Sequence, residues 1–203
     1  MSDFNSRAKD WDKEKRHVMI SQAIAAEFLK EIPLTGSMKA LEFGAGTGLL
    51  SFILKDRFAE ITMMDNSSEM IKVVQGKIAA AHAHHMNTVC VDLEKENYSG
   101  EFDVVYTQMV LHHLLNFELI IGKFYSLLKK GGYLAVADLY SEDGSFHGGD
   151  FKGHNGFDME NLYAVLKEKG FSDIKHKNCY NIKKNIASGE LKEFPIFLLI
   201  ASK

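Results

Sequence analysis

Residues 41–48 read LEFGAGTG, and the rest of the chain is best read outward from this octapeptide. An apolar run ends in an acid, Glu42, and glycines then recur at 44, 46 and 48. A buried strand that runs into such a turn lets the backbone approach a ligand that side chains would hold off. Beyond it, ITMMD (61–65) and TVCVD (88–92) are strand-like runs that also end in an acid, FDVVYT (102–107) reads as a fourth strand and YLAVAD (133–138) as a fifth. Helical spacing fills the gaps. One helix runs from Val18 to Ile32 and is closed by Pro33. Another runs from Leu49 to about Phe58, and a third starts at a Ser67 or Ser68 cap, with Met70, Ile71, Val73 and Val74 inward. A fourth covers 116–129, with Gly131-Gly132 as its stop and turn. This alternation predicts an α/β fold, an open, mostly parallel sheet with helices on both faces. FSDIKHKNCYNI and FPIFLLIAS supply two closing strands paired antiparallel, for seven strands in all.

Ligands of such sheets bind outside the carboxyl ends of the strands. Glu42, Asp65, Asp92 and the segment around Gln108 all have that address. Residues 141–157 (SEDGSFHGGDFKGHNGF) lack periodicity and carry five glycines and two histidines, the composition of a long functional loop. A helix capped by Asp158 follows. With 203 residues, 46% of them apolar, the chain fits one domain: a helical cap at 1–35, a binding core at 36–140, and a loop with closing strands at 141–203. The net charge of −3 argues against a nucleic-acid partner. Cys90 and Cys179 have neither disulfide-framework nor zinc spacing. They fit a reducing, cytoplasmic compartment, and neither a signal peptide nor a membrane span is read.

The glycine turn resists two familiar readings. A dinucleotide fingerprint would need a glycine where Leu49 stands, and a phosphate-cradling loop would need Gly-Lys-Ser/Thr. S-adenosylmethionine, a nucleoside joined to an amino acid through a sulfonium, has no phosphate and suits the turn better. Its ribose hydroxyls need a carboxylate acceptor, and Asp65, 17 positions past Gly48, is placed for that role. The competing reading of Asp65 is a helix cap. Glu42, at the end of a buried strand, needs partners of its own.

With these residues the chain resembles the class I (Rossmann-like) S-adenosylmethionine-dependent methyltransferases, in the style of the small-molecule ubiquinone/menaquinone-biosynthesis group. The resemblance covers roughly residues 39–139. It implies that Glu42, Gly44, Ala45, Gly46 and Gly48 wrap the methionine and ribose portion and that Asp65 holds the ribose, with Asn66 beside it and Met70 in the following turn. It further implies that Asp92 and Leu93 meet adenine and that Gln108 and Met109 lie along the methionine moiety. LKKGGYLAVAD (128–138) is similar to the family's L-x-P-G-G turn, with Lys130 in place of proline. The last strand is expected to run in reverse. An N-terminal helix closes over the cofactor in several relatives, so Trp11 is either a lid residue or a packing residue of that helix.

The methyl acceptor is expected to be a small molecule. The segment after the fourth strand reads Y-T-Q-M rather than N-P-P-Y, no cysteine follows a proline, and the cysteines of arsenic methylation are missing. Among the histidines, His113 of the His112-His113 pair, with His147 and His154 of the glycine-rich loop, are the candidate catalytic groups, as bases or orienting groups. His82, His84 and His85 lack the i, i+4 pair of a helical metal site, and no metal is expected. Two rival readings stand beside this one: a non-catalytic cofactor-binding partner subunit, and a dinucleotide-dependent oxidoreductase on the same fold.

Overall fold

In a computed structural model, which describes residues 2–149 and 151–203, seven strands form one sheet. They are β1 (Lys39–Phe43), β2 (Glu60–Asp65), β3 (Met86–Cys90), β4 (Phe102–Gln108), β5 (Leu128–Leu139), β6 (Ser172–Asn185) and β7 (Leu191–Ser202), in the order β3-β2-β1-β4-β5-β7-β6. The pairings among β1 to β5 are parallel, and β7 runs antiparallel to both β5 and β6. The helices are α1 (Ser2–Arg7), α2 (Lys15–Glu31), α3 (Leu49–Leu54), α4 (Ser68–Ala81), α5 (Phe117–Leu127) and α6 (Met159–Glu168). A 3-10 turn, Ala8–Lys13, joins α1 to α2. No helix among the described residues is long and apolar enough to cross a membrane.

The period of two along the strands divides the core. Ala40, Ile61, Met63 and Tyr106 face α2 and α3, packing with Ile24, Phe28, Leu50 and Leu54. Leu41, Phe43, Met64 and Val105 face the other way, against Ile120, Phe124, Leu162 and Leu166 of α5 and α6. Because both faces are covered, the central strands read as continuous apolar runs rather than alternating ones. Helix ends follow their capping residues. Ser67 accepts from the Met70 N–H at 3.1 Å, Asn116 from Leu119 at 3.0 Å and Asp158 from Asn161 at 3.0 Å. Ile32, extended ahead of Pro33, closes α2.

Two boundaries differ from expectation. The third strand covers 86–90 rather than 88–92, which leaves Asp92 in the loop beyond it. The α5 helix stops at Leu127, and Gly131-Gly132 does not turn the chain but lies within β5. There Gly131 has φ +78°, and its N–H donates to the Lys203 carbonyl at 2.8 Å. A side chain on Gly132 would meet the Asp103 and Lys129 carbonyl oxygens at 2.9 Å. The glycines therefore absorb an irregularity between Phe102 and Val104 in the β4–β5 pairing.

Candidate functional site

Parallel pairing puts the ends of β1, β2, β4 and β5 along one edge of the sheet. The chain leaves β1 through Gly44 (φ +67°), Gly46 (+55°) and Gly48 (+76°), left-handed backbone that other residues adopt only at a cost. The three glycines have different surroundings. A Cβ on Gly44 would lie 2.4 Å from a Val110 methyl, and one on Gly48 would lie 3.0 Å from the Met63 sulfur, whereas one on Gly46 would meet no atom within 4 Å. The Gly46 N–H donates to Asp65 Oδ2 at 2.7 Å, and the Ser67 N–H to Asp65 Oδ1 at 2.8 Å. Asp65 is thus pinned beside the open glycine. Burial raises its carboxyl above the usual value, while these backbone donors pull the other way. The α4 cap is Ser67, so Asp65 is not the cap residue.

Glu42 lies one layer deeper, with no exposed surface. The Ser51 hydroxyl donates to its Oε2 and also lies 2.6 Å from the Tyr106 hydroxyl, while Oε1 has no partner. Burial pushes the Glu42 carboxyl up to about 8, against the pull of Ser51. At the end of β4, Gln108 donates to the buried Ser21 hydroxyl at 2.9 Å, and its Oε1 is unpartnered. Met109 then takes φ +54°, an unusual conformation for its type, with its N–H on the Ala137 carbonyl at 2.8 Å. Asp92 accepts from Lys95 at 2.6 Å and from the Glu94 N–H at 3.1 Å. Asn66 is exposed beside Asp65. Met70 is 2% exposed and Leu93 1%. Leu93 packs in the α5-side core.

The N-terminal segment lies across this edge. Thr47 Oγ1 donates to Asp12 Oδ1, Lys77 Nζ donates to Asp12 Oδ2 at 2.9 Å and to the Thr47 carbonyl at 2.7 Å, and Ser67 Oγ donates to Asn5. The Trp11 ring stacks on His17 at 4.1 Å, tilts against Phe4 at 5.9 Å and carries the Arg7 guanidinium at 4.9 Å. These contacts all lie within the segment, so Trp11 packs the cap together. Phe4 is the ring that reaches the site, edge-on to His113 at 5.4 Å. An open concavity of about 410 Å³, lined by Leu29, Pro33 and Arg57, lies elsewhere.

The histidines beyond β4 and β5 separate into two groups. His112, His113 and His147 converge, with ring centres 4.1 Å apart for the first pair and 5.1 Å for each of the others. His147 stacks on Phe151 at 3.9 Å. Burial, ahead of the neighbouring imidazole His112, pushes His113 down to about 3 and His147 to about 4, so both are neutral at physiological pH. His154 goes another way. Its N–H donates to the His112 carbonyl at 2.7 Å, but its ring packs on Phe117 at 5.1 Å and Phe157 at 5.8 Å. The loop 141–157 is held close here, for a side chain on Gly153 would lie 2.1 Å from the His112 carbonyl oxygen.

A family profile described as a methyltransferase domain matches residues 41–136. Residues 41–136 are thus similar to a methyltransferase domain. An uncharacterized methyltransferase of Schizosaccharomyces pombe is 29% identical over 157 residues, 67% of this chain and 54% of that protein. The chain therefore spans about half the length of that relative. Among solved structures, an S-adenosylmethionine-dependent methyltransferase from Aquifex aeolicus shares the fold with a TM-score of 0.70 at 15% identity, covering 98% of both chains. Phosphoethanolamine N-methyltransferase 2 of Haemonchus contortus, in complex with S-adenosyl-L-methionine, does so with a TM-score of 0.73 at 15% identity, over 100% of this chain and 60% of that one.

Sequence reasoning missed two parts of this candidate site. One is Asp138, fully buried at the end of β5, whose Oδ1 lies 2.6 Å from His112 Nδ1. A signal was available. β4 and β5 are neighbours in register (Gln108↔Ala137), so an acid ending β5 stands beside whatever follows β4. The other is the Asp12–Thr47–Lys77 clasp, for which the sequence carries no comparable signal.

Proposed function

We propose that the chain transfers a methyl group from S-adenosylmethionine to a small-molecule acceptor, with the cofactor seated between the glycine turn and Asp65. The observation that carries this reading is the pairing of an open, left-handed Gly46 with a partly buried carboxylate 2.7 Å from its N–H. The residues fit the cofactor. A Cβ at Gly46 would fill the cradle, and the unpartnered Oε1 of Gln108 is an acceptor in want of a donor such as an ammonium group, with the unpartnered Oε1 of Glu42 a further polar atom in want of a partner. Asp65 would accept the ribose hydroxyls with its remaining lone pairs, flanked by Asn66. Asp92 would serve the adenine end, and Gln108 with Met109 the methionine portion.

When bound, the cofactor supplies a methyl group already activated on a sulfonium for in-line displacement. The protein's task is then alignment and dryness rather than strong acid–base work. Phe4, Phe146 and Phe151 supply apolar walls around His113 and His147, and the N-terminal segment excludes water from the glycine turn. Neutral imidazoles can orient an acceptor or take its proton. The free thiols Cys90 and Cys179 fit a reducing, cytoplasmic compartment.

The test is a competition between cofactors followed by turnover. Calorimetric titration with S-adenosylhomocysteine and, separately, with NADPH should give heat of binding only for the first. Labelled methyl should then pass from S-adenosylmethionine to at least one member of a panel of phenols, thiols and amines. Binding of NADPH alone would overturn the reading.

A further inference from the structure

The geometry points to a mononuclear transition-metal site formed by His112, His113 and His147, with Asp138 behind it. Each histidine offers one ring nitrogen, and these atoms all lie within 4.8 Å of one another. Three imidazoles that leave one position open are the ligand set of a catalytic zinc-type ion rather than of a structural one.

Two independent features support a built site. His112 is 1% exposed, and its Nδ1 lies 2.6 Å from Asp138 Oδ1, which leaves Nε2 buried and without a partner. A carboxylate on one imidazole nitrogen with the other nitrogen free is the outer-shell arrangement that fixes the tautomer and orientation of a metal-ligating histidine. Asp138 is itself anchored, since its Oδ1 also accepts from the Leu139 N–H at 2.7 Å and its Oδ2 from the His112 N–H at 3.3 Å. The second feature is the shell. Phe151 stacks on His147 and approaches His113 at 5.3 Å, while Phe146 lies 4.8 Å from His147, an apolar flank that limits solvent access to the cluster. A tetrahedral ion draws the nitrogens closer than 4.8 Å, and His147 stands where the chain can adjust, ahead of Gly148 (φ +94°) and Gly149.

The metal site stands on these residues alone. Its role in the reaction rests on the methyltransferase reading. The open coordination position takes a hydroxyl or thiol of the acceptor, holds it deprotonated with the proton released to solvent, and so selects acceptors with such a group over amines.

The experiment uses the full chain, stripped with EDTA and dialysed, then titrated with Zn²⁺ by calorimetry and with Co²⁺ by visible absorption. The expected result is one ion per chain, with the intense d–d bands of a tetrahedral cobalt site. His113→Ala and His147→Ala should each bind at least about tenfold more weakly. Substitution of His147, on an exposed stretch of loop, leaves the core intact, and circular dichroism checks folding of each variant. His84→Ala, in the surface histidine run, should bind as wild type does. Wild-type affinity no higher than that of His147→Ala, or loss of binding in His84→Ala instead, would overturn the inference. S-adenosylhomocysteine is titrated into the same samples. Cofactor binding without metal binding removes only the metal site, and metal binding without cofactor binding removes only the methyltransferase reading.

Discussion

Glu42 has no exposed surface and one unpartnered oxygen, so its proton is held by the fold. With a folded-state value near 8 against 4.5 for the free side chain, the native state keeps a proton that the unfolded chain gives up between those values. The stabilisation is fully present below about pH 4.5 and is lost as pH rises through about 8. Thermal unfolding of the ligand-free protein should therefore show stability falling on the order of 1 kcal/mol per pH unit from neutral toward pH 8. In Glu42→Gln, which keeps an uncharged group of the same shape, this slope should flatten, and an unchanged slope would place the titrating group elsewhere. The glycines of the turn give a second residue-scale expectation. Gly44→Ala drives a Cβ into the branched Val110 and should unfold the protein at markedly lower temperature. Gly46→Ala meets open space and should cost only about 1–2 kcal/mol for its left-handed φ. Equal melting points for the two variants would contradict this picture of the turn.

Among the elements, the N-terminal segment and helix α5 make opposite kinds of contact. The α1–turn segment is fastened by polar clasps, Asp12 to Thr47 and Lys77, with Asn5 bonded to Ser67. Asp12→Ala should free it, and trypsin should then cut after Lys9 or Lys13 several-fold faster, with the global melting temperature nearly unchanged. An unchanged cutting rate would mean that the clasp does not hold the segment. The α5 helix is fastened by burial. Phe124 is fully buried and packs on Phe43 at 5.2 Å, so Phe124→Ala should cost about 3–5 kcal/mol by denaturant unfolding. The sequence made the second kind of contact legible and the first not. Apolar period reveals which face of α5 is inward, whereas a hydrogen bond from Thr47 to Asp12 joins residues 35 positions apart that carry no pattern. The end of β3 and the start of β5 differ from expectation for a related reason. β-Branched and apolar residues continue past Cys90, and glycine punctuation at 131–132 marks a bulge as readily as a turn.

At the scale of the whole molecule, strand order explains why the site could be read at all. Parallel pairing sends the ends of β1, β2 and β4 to one edge, so Glu42, Asp65 and Gln108 share a neighbourhood although they are far apart in sequence. That much follows from an alternating strand–helix pattern. The histidine cluster does not, because it is assembled from His112 and His113 after β4, Asp138 at the end of β5, and His147 on an irregular loop. Periodicity says nothing about where such a loop folds back, and Gly153, tight against the His112 carbonyl, is what brings it there. His147 and His154 look alike in sequence, yet only the first joins the cluster. The central claim is that the pocket between the open glycine and Asp65 holds the cofactor, and calorimetric titration of wild type and Asp65→Ala with S-adenosylhomocysteine tests it most directly. A single site in wild type and at least about tenfold weaker binding in the folded variant, a loss of about 1.4 kcal/mol or more, is the result this account predicts. Equal affinity in the two proteins would contradict it.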